Sequence, residues 1–254
     1  MEYCEEQRSV TPSLQFFSGR YCVSVDGFFT NRGVNVKVSG LTKSYETSAE
    51  QVRALKGVSW EIGPGEAVAL MGPSGCGKTT LLNILGGVDH PTGGEILVGN
   101  QKLTSLSERE LEKYRLHRVG FVFQFFNLIP TLTAIENLEL PMLIAGVDAA
   151  GRKQRIDGLL QMVGLHDKGH KRPEELSGGE QQRVAVALSL ANDPSVILAD
   201  EPTGNLDSEN TKTVAALFLS LAETYGKTVI MASHDPKAVE QFKKVYNMRD
   251  GSFV

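Results

Sequence analysis

Gly72-Pro73-Ser74-Gly75-Cys76-Gly77-Lys78-Thr79, with Thr80 following, is the stretch on which the fold turns. It fits the pattern G-x-x-x-x-G-K-[ST]. Before it runs Ala67-Val68-Ala69-Leu70-Met71, continuously apolar, as a strand covered on both faces should be. After it come Leu81, Leu82, Ile84 and Leu85, which continue as a helix. Glycines let the backbone wrap closely around phosphate with its N–H groups pointing inward. Lys78 is expected to neutralise the outer phosphates, and the Thr79 hydroxyl to complete a magnesium shell. The following helix turns its N-terminus toward the anion. A glycine-rich loop can match this pattern by chance, but a buried strand before it and a helix after it are the context that the chemistry requires. Cys76 sits inside the loop; a side chain pointing away is expected, rather than a nucleophile.

A second apolar strand, Val196-Ile197-Leu198-Ala199, ends in Asp200-Glu201-Pro202. In open parallel sheets ligands gather at the carboxyl ends of strands, where the phosphate loop also lies. Asp200 is therefore the expected magnesium partner, and Glu201 the group that polarises water for in-line attack. Thr228-Val229-Ile230-Met231-Ala232 reads as another buried strand. Val34 to Val38 and Val58 to Ile62 alternate apolar with polar, as half-buried strands do. From about 125 to 192 the pattern is helical, with Leu159, Leu160, Met162 and Val163 at helical spacing and no Gly or Pro between Gln181 and Ala191. Strands alternating with helices imply a mostly parallel sheet with right-handed crossovers. The expected fold is thus α/β with an inserted helical subdomain. Residues 1–33 lack a sustained period and read as an N-terminal extension outside the fold, although Phe16, Phe17, Phe28 and Phe29 offer docking side chains.

Composition narrows the function. The chain has 254 residues, 41% hydrophobic, and a formal net charge of -4. This mildly acidic balance argues against a dedicated nucleic-acid binder. Three cysteines, Cys4, Cys22 and Cys76, are odd in number and lack metal-ligand spacing, which fits a reducing compartment. The apolar stretches Val184 to Ala191 and Leu138 to Val147 fall short of the ~18 residues a spanning helix needs. The opening Met-Glu-Tyr-Cys-Glu-Glu reads as neither a secretory signal nor a transit peptide. A chain facing the cytoplasm, with no direct membrane span, is expected.

Leu176-Ser177-Gly178-Gly179-Glu180-Gln181-Gln182-Arg183 adds a second anion site, a hydroxyl and free N–H groups directly before a helix. Together with the phosphate loop and acidic strand end, it resembles the ATP-binding-cassette (ABC) ATPases over residues 34–254. In that family this motif closes over the nucleotide held by the opposite subunit. The resemblance implies a P-loop NTPase (RecA-like) core, an N-terminal antiparallel β subdomain and the helical insert, with ATP and Mg2+ as ligands. It implies an adenine-stacking role for Tyr45, a magnesium- and water-sensing role for Gln124, an interface loop at Gly204-Asn205-Leu206-Asp207, and a terminal-phosphate contact for His234. Asp200, Thr79 and Gln124 become the implied metal set; Glu201, His234 and Lys78 the implied catalytic set; Ser177, Gly178 and Gly179 the nucleotide contacts made across a homodimer.

Phe126 to Pro141, Leu198 to Asp207 and the extra residues 46–51 look like the lipoprotein-releasing and macrolide-exporting branch, whose ATPases work in pairs beneath an integral membrane permease subunit. A cell-division branch with a similar ATPase instead regulates wall hydrolases, so a switch acting on a membrane-bound protein machine is the alternative. A cassette that binds without hydrolysing is opposed by the presence of Lys78, Asp200, Glu201 and His234. Two departures stand out: Leu188 occupies the place of a usual Arg, and residues 1–33 have no counterpart in compact family members.

Overall fold

The computed structural model describes residues 29–46 and 51–254. In chain order its strands and α-helices are β1 (Val36–Glu46), β2 (Gln51–Ile62), β3 (Ala67–Met71), α1 (Lys78–Leu85), β4 (Gly93–Val98), β5 (Gln101–Lys102), α2 (Glu108–Arg118), β6 (Val119–Phe123), α3 (Ala134–Ile144), α4 (Ala149–Met162), α5 (Gly178–Ser189), β7 (Val196–Asp200), α6 (Ser208–Glu223), β8 (Thr228–Ser233), α7 (Pro236–Val239), β9 (Lys244–Arg249) and β10 (Ser252–Phe253). Two sheets result. One is antiparallel, in the order β2-β1-β4-β5; the other runs β10-β9-β3-β8-β7-β6. In the second sheet β9, β3, β8, β7 and β6 are parallel, and only β10 pairs antiparallel.

The parallel strands explain their own sequence. Val68 and Leu70 of β3 face a cluster with Leu81, Leu82, Ile84 and Leu85 of α1 and with Val38 and Trp60 of the antiparallel sheet. Ala69, between them, joins the opposite cluster with Leu138, Leu159, Val186 and Phe218 of the helices. Both faces are covered, so both must be apolar. The order β3-β8-β7 sets β8 between the strand before the phosphate loop and the strand ending in Asp200, bringing three carboxyl strand ends side by side.

Three helices, α3, α4 and α5, occupy the expected insert, each begun by a polar side chain that accepts a backbone N–H: Thr133, Asp148 and Ser177. β1 runs eight residues past the Val34–Val38 alternation, to Glu46. Its polar half, Thr42 to Glu46, is held by pairing with β2 rather than by burial.

The chain engages the core before residue 34. The Phe29 ring meets Tyr225 edge-on at 4.7 Å. Thr30 N–H and Asn31 N–H donate to Asp193 Oδ2 at 2.8 and 2.9 Å. Fully buried Lys227 is ion-paired to Asp193 and donates to the Asn31 carbonyl. A buried ammonium needs acceptors, and the last residues of the expected extension supply one. Residues 29–33 therefore pack on the folded body, whereas Phe16, Phe17 and Phe28 lie outside the described residues.

Candidate functional site

The phosphate loop is shaped by packing as well as by glycine freedom. Gly75 and Gly77 have φ of 78° and 107°, in the left-handed region. A Cβ on Gly77 would lie 2.6 Å from the Ala54 carbonyl, and one on Gly72 would lie 2.2 Å from that of Met248. Cys76 is buried in the core cluster shared with β1 and β2, with its side chain pointing into the protein as expected. Lys78 is almost wholly buried, and its Nζ donates to the carbonyls of Gly72 at 2.6 Å and Pro73 at 3.1 Å. The same Nζ lies 3.3 Å from Glu201 Oε1.

Glu201 follows β7 with φ of 50°, an uncommon value for a residue with a side chain. Its Oε2 accepts the His234 backbone N–H at 3.1 Å and faces His234 Nδ1 at 2.8 Å. One carboxylate thus bridges the lysine of the phosphate loop and the histidine after β8. Asp200 Oδ1 is buried without a hydrogen-bond partner. Burial raises the Asp200 carboxyl above the usual carboxylate range; the Thr79 hydroxyl and Lys78 oppose this, and the Glu201 charge adds to it. A dry, partnerless carboxylate oxygen next to a hydroxyl fits a hard divalent cation. Among the described residues no group of three His, Cys, Asp or Glu gathers.

A cleft of about 480 Å³ opens over these groups, between Ser74, Gly75, Lys78, Thr79 and Thr80 on one wall and Gln124, Asp200 and Glu201 on the other. Gln124 also meets the 204–207 loop, since Asn205 Nδ2 donates to its carbonyl at 3.3 Å. A Cβ on Gly204 would come within 2.8 Å of Gln124 Nε2. Tyr45 lies beyond the cleft wall, 39% exposed, with its hydroxyl on Asp89.

Ser177, Gly178 and Gly179 do not line this cleft. Ser177 and Gly178 are exposed at the start of α5. A capping box sets them there: Ser177 N–H donates to Glu180 Oε2 at 2.9 Å, Glu180 N–H returns to Ser177 Oγ at 3.4 Å, and Lys168 ion-pairs with Glu180. A Cβ on Gly179 would sit 2.2 Å from Asn210 Oδ1, so this position requires glycine as long as Asn210 stays put. Leu188 is half-buried against the apolar cluster of α3 to α6, where a hydrophobic side chain needs no ionic partner.

Sequence reasoning did not single out Lys43, Asp89 or Asn210. Lys43 stands two residues before Tyr45, on the same face of β1. Asp89 and Asn210 have no local signal, because what gives them roles is contact across tens of residues.

The sequence model of the family described as ABC transporter matches residues 55–204. An uncharacterized ABC transporter ATP-binding protein of Thermotoga maritima is 49% identical over 209 residues, covering 82% of this chain and 89% of that one. The lipoprotein-releasing system ATP-binding protein LolD of Bacteroides thetaiotaomicron is 42% identical over 217 residues, covering 85% and 98%. The solved dimer of the ATP-binding cassette MJ0796 of Methanocaldococcus jannaschii, in a post-hydrolysis state with ADP and Pi, superposes with a TM-score of 0.79 at 43% identity, covering 86% of this chain and 96% of that one. Among the described residues no helix is long and apolar enough to cross a membrane. With this site on this sheet, the chain belongs to the ABC transporter ATPase family, as an ATP-binding and ATP-hydrolysing subunit.

Proposed function

We propose that two copies of the chain close over two ATP molecules and drive an integral membrane permease in the export of lipoproteins or of a drug or peptide. The observation that carries this is the separation of the two anion sites: Ser177 and Gly178 are exposed and outside the chain's own cleft. The Ser177 hydroxyl and the Gly178 N–H at the α5 N-terminus therefore await a phosphate from elsewhere. The dimeric state of the MJ0796 cassette and the name of the LolD relative support the arrangement and the export role.

Within each site, Lys78 exchanges the Gly72 and Pro73 carbonyls for β- and γ-phosphate oxygens, and the backbone N–H groups of residues 74–79 surround them. Asp200, Thr79 and Gln124 would hold magnesium, which neutralises charge developing on the phosphates. Glu201, fixed by Lys78 and His234, accepts a hydrogen bond from the attacking water; the water oxygen bonds to the γ-phosphorus as the bond to ADP breaks. His234 then faces the departing phosphate, and Tyr45 stacks on adenine. Leu143 and Ile144, 49% and 67% exposed at the end of α3, give the helical insert an apolar surface for the permease, which keeps the ATPase on the cytoplasmic face of the membrane without a span of its own.

The test is light scattering and turnover of Glu201→Gln. ATP should convert it from monomer to a lasting dimer while hydrolysis falls by 100-fold or more. Normal turnover would remove Glu201 from its role. A monomer at every ATP concentration that the wild-type chain hydrolyses would remove the two-copy sandwich.

A further inference from the structure

Tyr45 does not stand alone. Its hydroxyl donates to Asp89 Oδ2 at 2.7 Å. Asp89 Oδ1 receives Lys43 Nζ at 2.6 Å and the His90 N–H at 2.7 Å, and Lys43 Nζ also reaches the His90 carbonyl at 2.6 Å. That Nζ stands 4.7 Å from the centroid of the Tyr45 ring, within cation–π range. Lys43 and Asp89 expose only 12% and 28% of their side chains, so their attraction is less screened than that of an ordinary surface pair.

Position gives this trio a purpose. Asp89 follows the C-terminus of α1, tied back by its N–H to the Asn83 carbonyl at 3.3 Å, and α1 is the helix whose N-terminus ends the phosphate loop. The turn that holds Asp89 and the phosphate loop thus flank opposite ends of one helix of eight residues, about 12 Å long. The turn after Asp89 is sewn to β1 as well, through Thr92 N–H to the Thr42 carbonyl at 2.8 Å and Ser44 N–H to Thr92 Oγ1 at 3.0 Å. A tyrosine at the exposed end of β1, next to residues 47–50, would otherwise spend rotamer entropy on every encounter with a base.

We propose that Lys43 and Asp89 are positioning residues for base recognition, which lock Tyr45 as a one-sided stacking platform for the purine ring of ATP. The ammonium takes one face of the ring, the carboxylate fixes its rotation, and the purine stacks on the face that remains. This rests on Tyr45 being the adenine contact. Groups that face Tyr45 support the same state: burial and the Asp89 hydrogen bond push its phenol up, with the Thr80 hydroxyl acting the other way, so the ring stays neutral. At Asp89 burial works upward, but the bonds from Lys43, Tyr45 and the His90 N–H outweigh it and hold the carboxyl below its usual range.

The test compares ATP with inorganic tripolyphosphate, which has the phosphates and no base, by titration calorimetry on the full chain. Tyr45→Ala should weaken ATP about tenfold and leave tripolyphosphate unchanged. Asp89→Ala and Lys43→Met should each weaken ATP three- to tenfold, again without touching tripolyphosphate, and in turnover the loss should fall on KM rather than kcat. Lys43→Arg, which keeps a cation over the ring, should recover most of the affinity. Adding Asp89→Ala to Tyr45→Ala should cost nothing further. The positioning role is overturned if Asp89→Ala weakens both ligands alike, if its effect adds fully to that of Tyr45→Ala, or if it binds ATP normally while Tyr45→Ala does not. Normal ATP binding by Tyr45→Ala would instead remove the stacking contact itself, and the brace with it.

Discussion

Glu201 Oε2 receives His234 twice, from its backbone N–H at 3.1 Å and against its ring Nδ1 at 2.8 Å, while Glu201 Oε1 faces Lys78 Nζ at 3.3 Å. The carboxylate is held at both ends, by His234 just after β8 and by Lys78, the first residue of α1. Its backbone, at φ of 50°, turns the side chain back over the sheet to meet them.

His234→Ala should therefore cost more in turnover than in binding. The backbone N–H still donates, so Glu201 keeps part of its anchoring, but the ring contact is gone. A 10- to 100-fold fall in kcat, with the Kd for ATP within about threefold of wild type, is expected from single-turnover and equilibrium titration. Loss of affinity with kcat intact would place His234 in binding instead.

Ser177 has two tasks that substitution can separate. Ser177→Ala removes the N-cap of α5 and should lower stability by about 1 kcal/mol. Ser177→Asp restores the cap but sets a negative charge where the partner's phosphate would arrive. Melting temperature should recover in Ser177→Asp while ATP-driven dimerisation does not. Recovery of both would mean that Ser177 serves the helix alone.

Lys227 and Asp193 test the packing of residues 29–33. Lys227→Met leaves Asp193 buried without its cation and should destabilise by about 3 kcal/mol in urea unfolding. Asp193→Asn added to it should return part of that loss, since Asn tolerates the φ of 51° at this position. A double variant weaker than the sum of the two singles would contradict a coupled pair.

Acid should unfold the protein through its held carboxylates. Glu180 is lowered chiefly by Lys168, Glu66 by Lys244, and Asp207 by the backbone N–H of Asn210. A folded-state value below the unfolded one contributes stability above the unfolded pKa, and that contribution is lost as pH falls through the folded one. The melting temperature should hold from pH 7 to about 5 and then fall through the carboxylate range. A melting temperature that rises on acidification would reverse the sign assigned to these groups.

Legibility in the sequence followed the range of the interactions. β3, α1, β7 and β8 stood out because burial on both faces writes an apolar run into a few consecutive residues. The polar end of β1 did not, because its strand character comes from pairing with β2 rather than from side chains. The small strands β4 and β5 escaped notice for the same reason. Site residues inside motifs were legible one by one, and the contacts among them were not. Asp89 meets Tyr45 across 44 residues, and Glu201 meets His234 across 33.

By itself the sequence determined which chemistry is present: a loop that must wrap an anion, a strand that must end in two acids, and a capped helix start that offers free N–H groups. These depend on glycine's freedom, on burial and on capping, all local properties of the chain. The tertiary structure alone decided which groups meet. The order β3-β8-β7 brings Lys78, His234 and Glu201 to one edge, and α5 carries Ser177 away from that edge. Strand order and helix direction arise from long-range pairing and packing, and no short stretch of residues contains them.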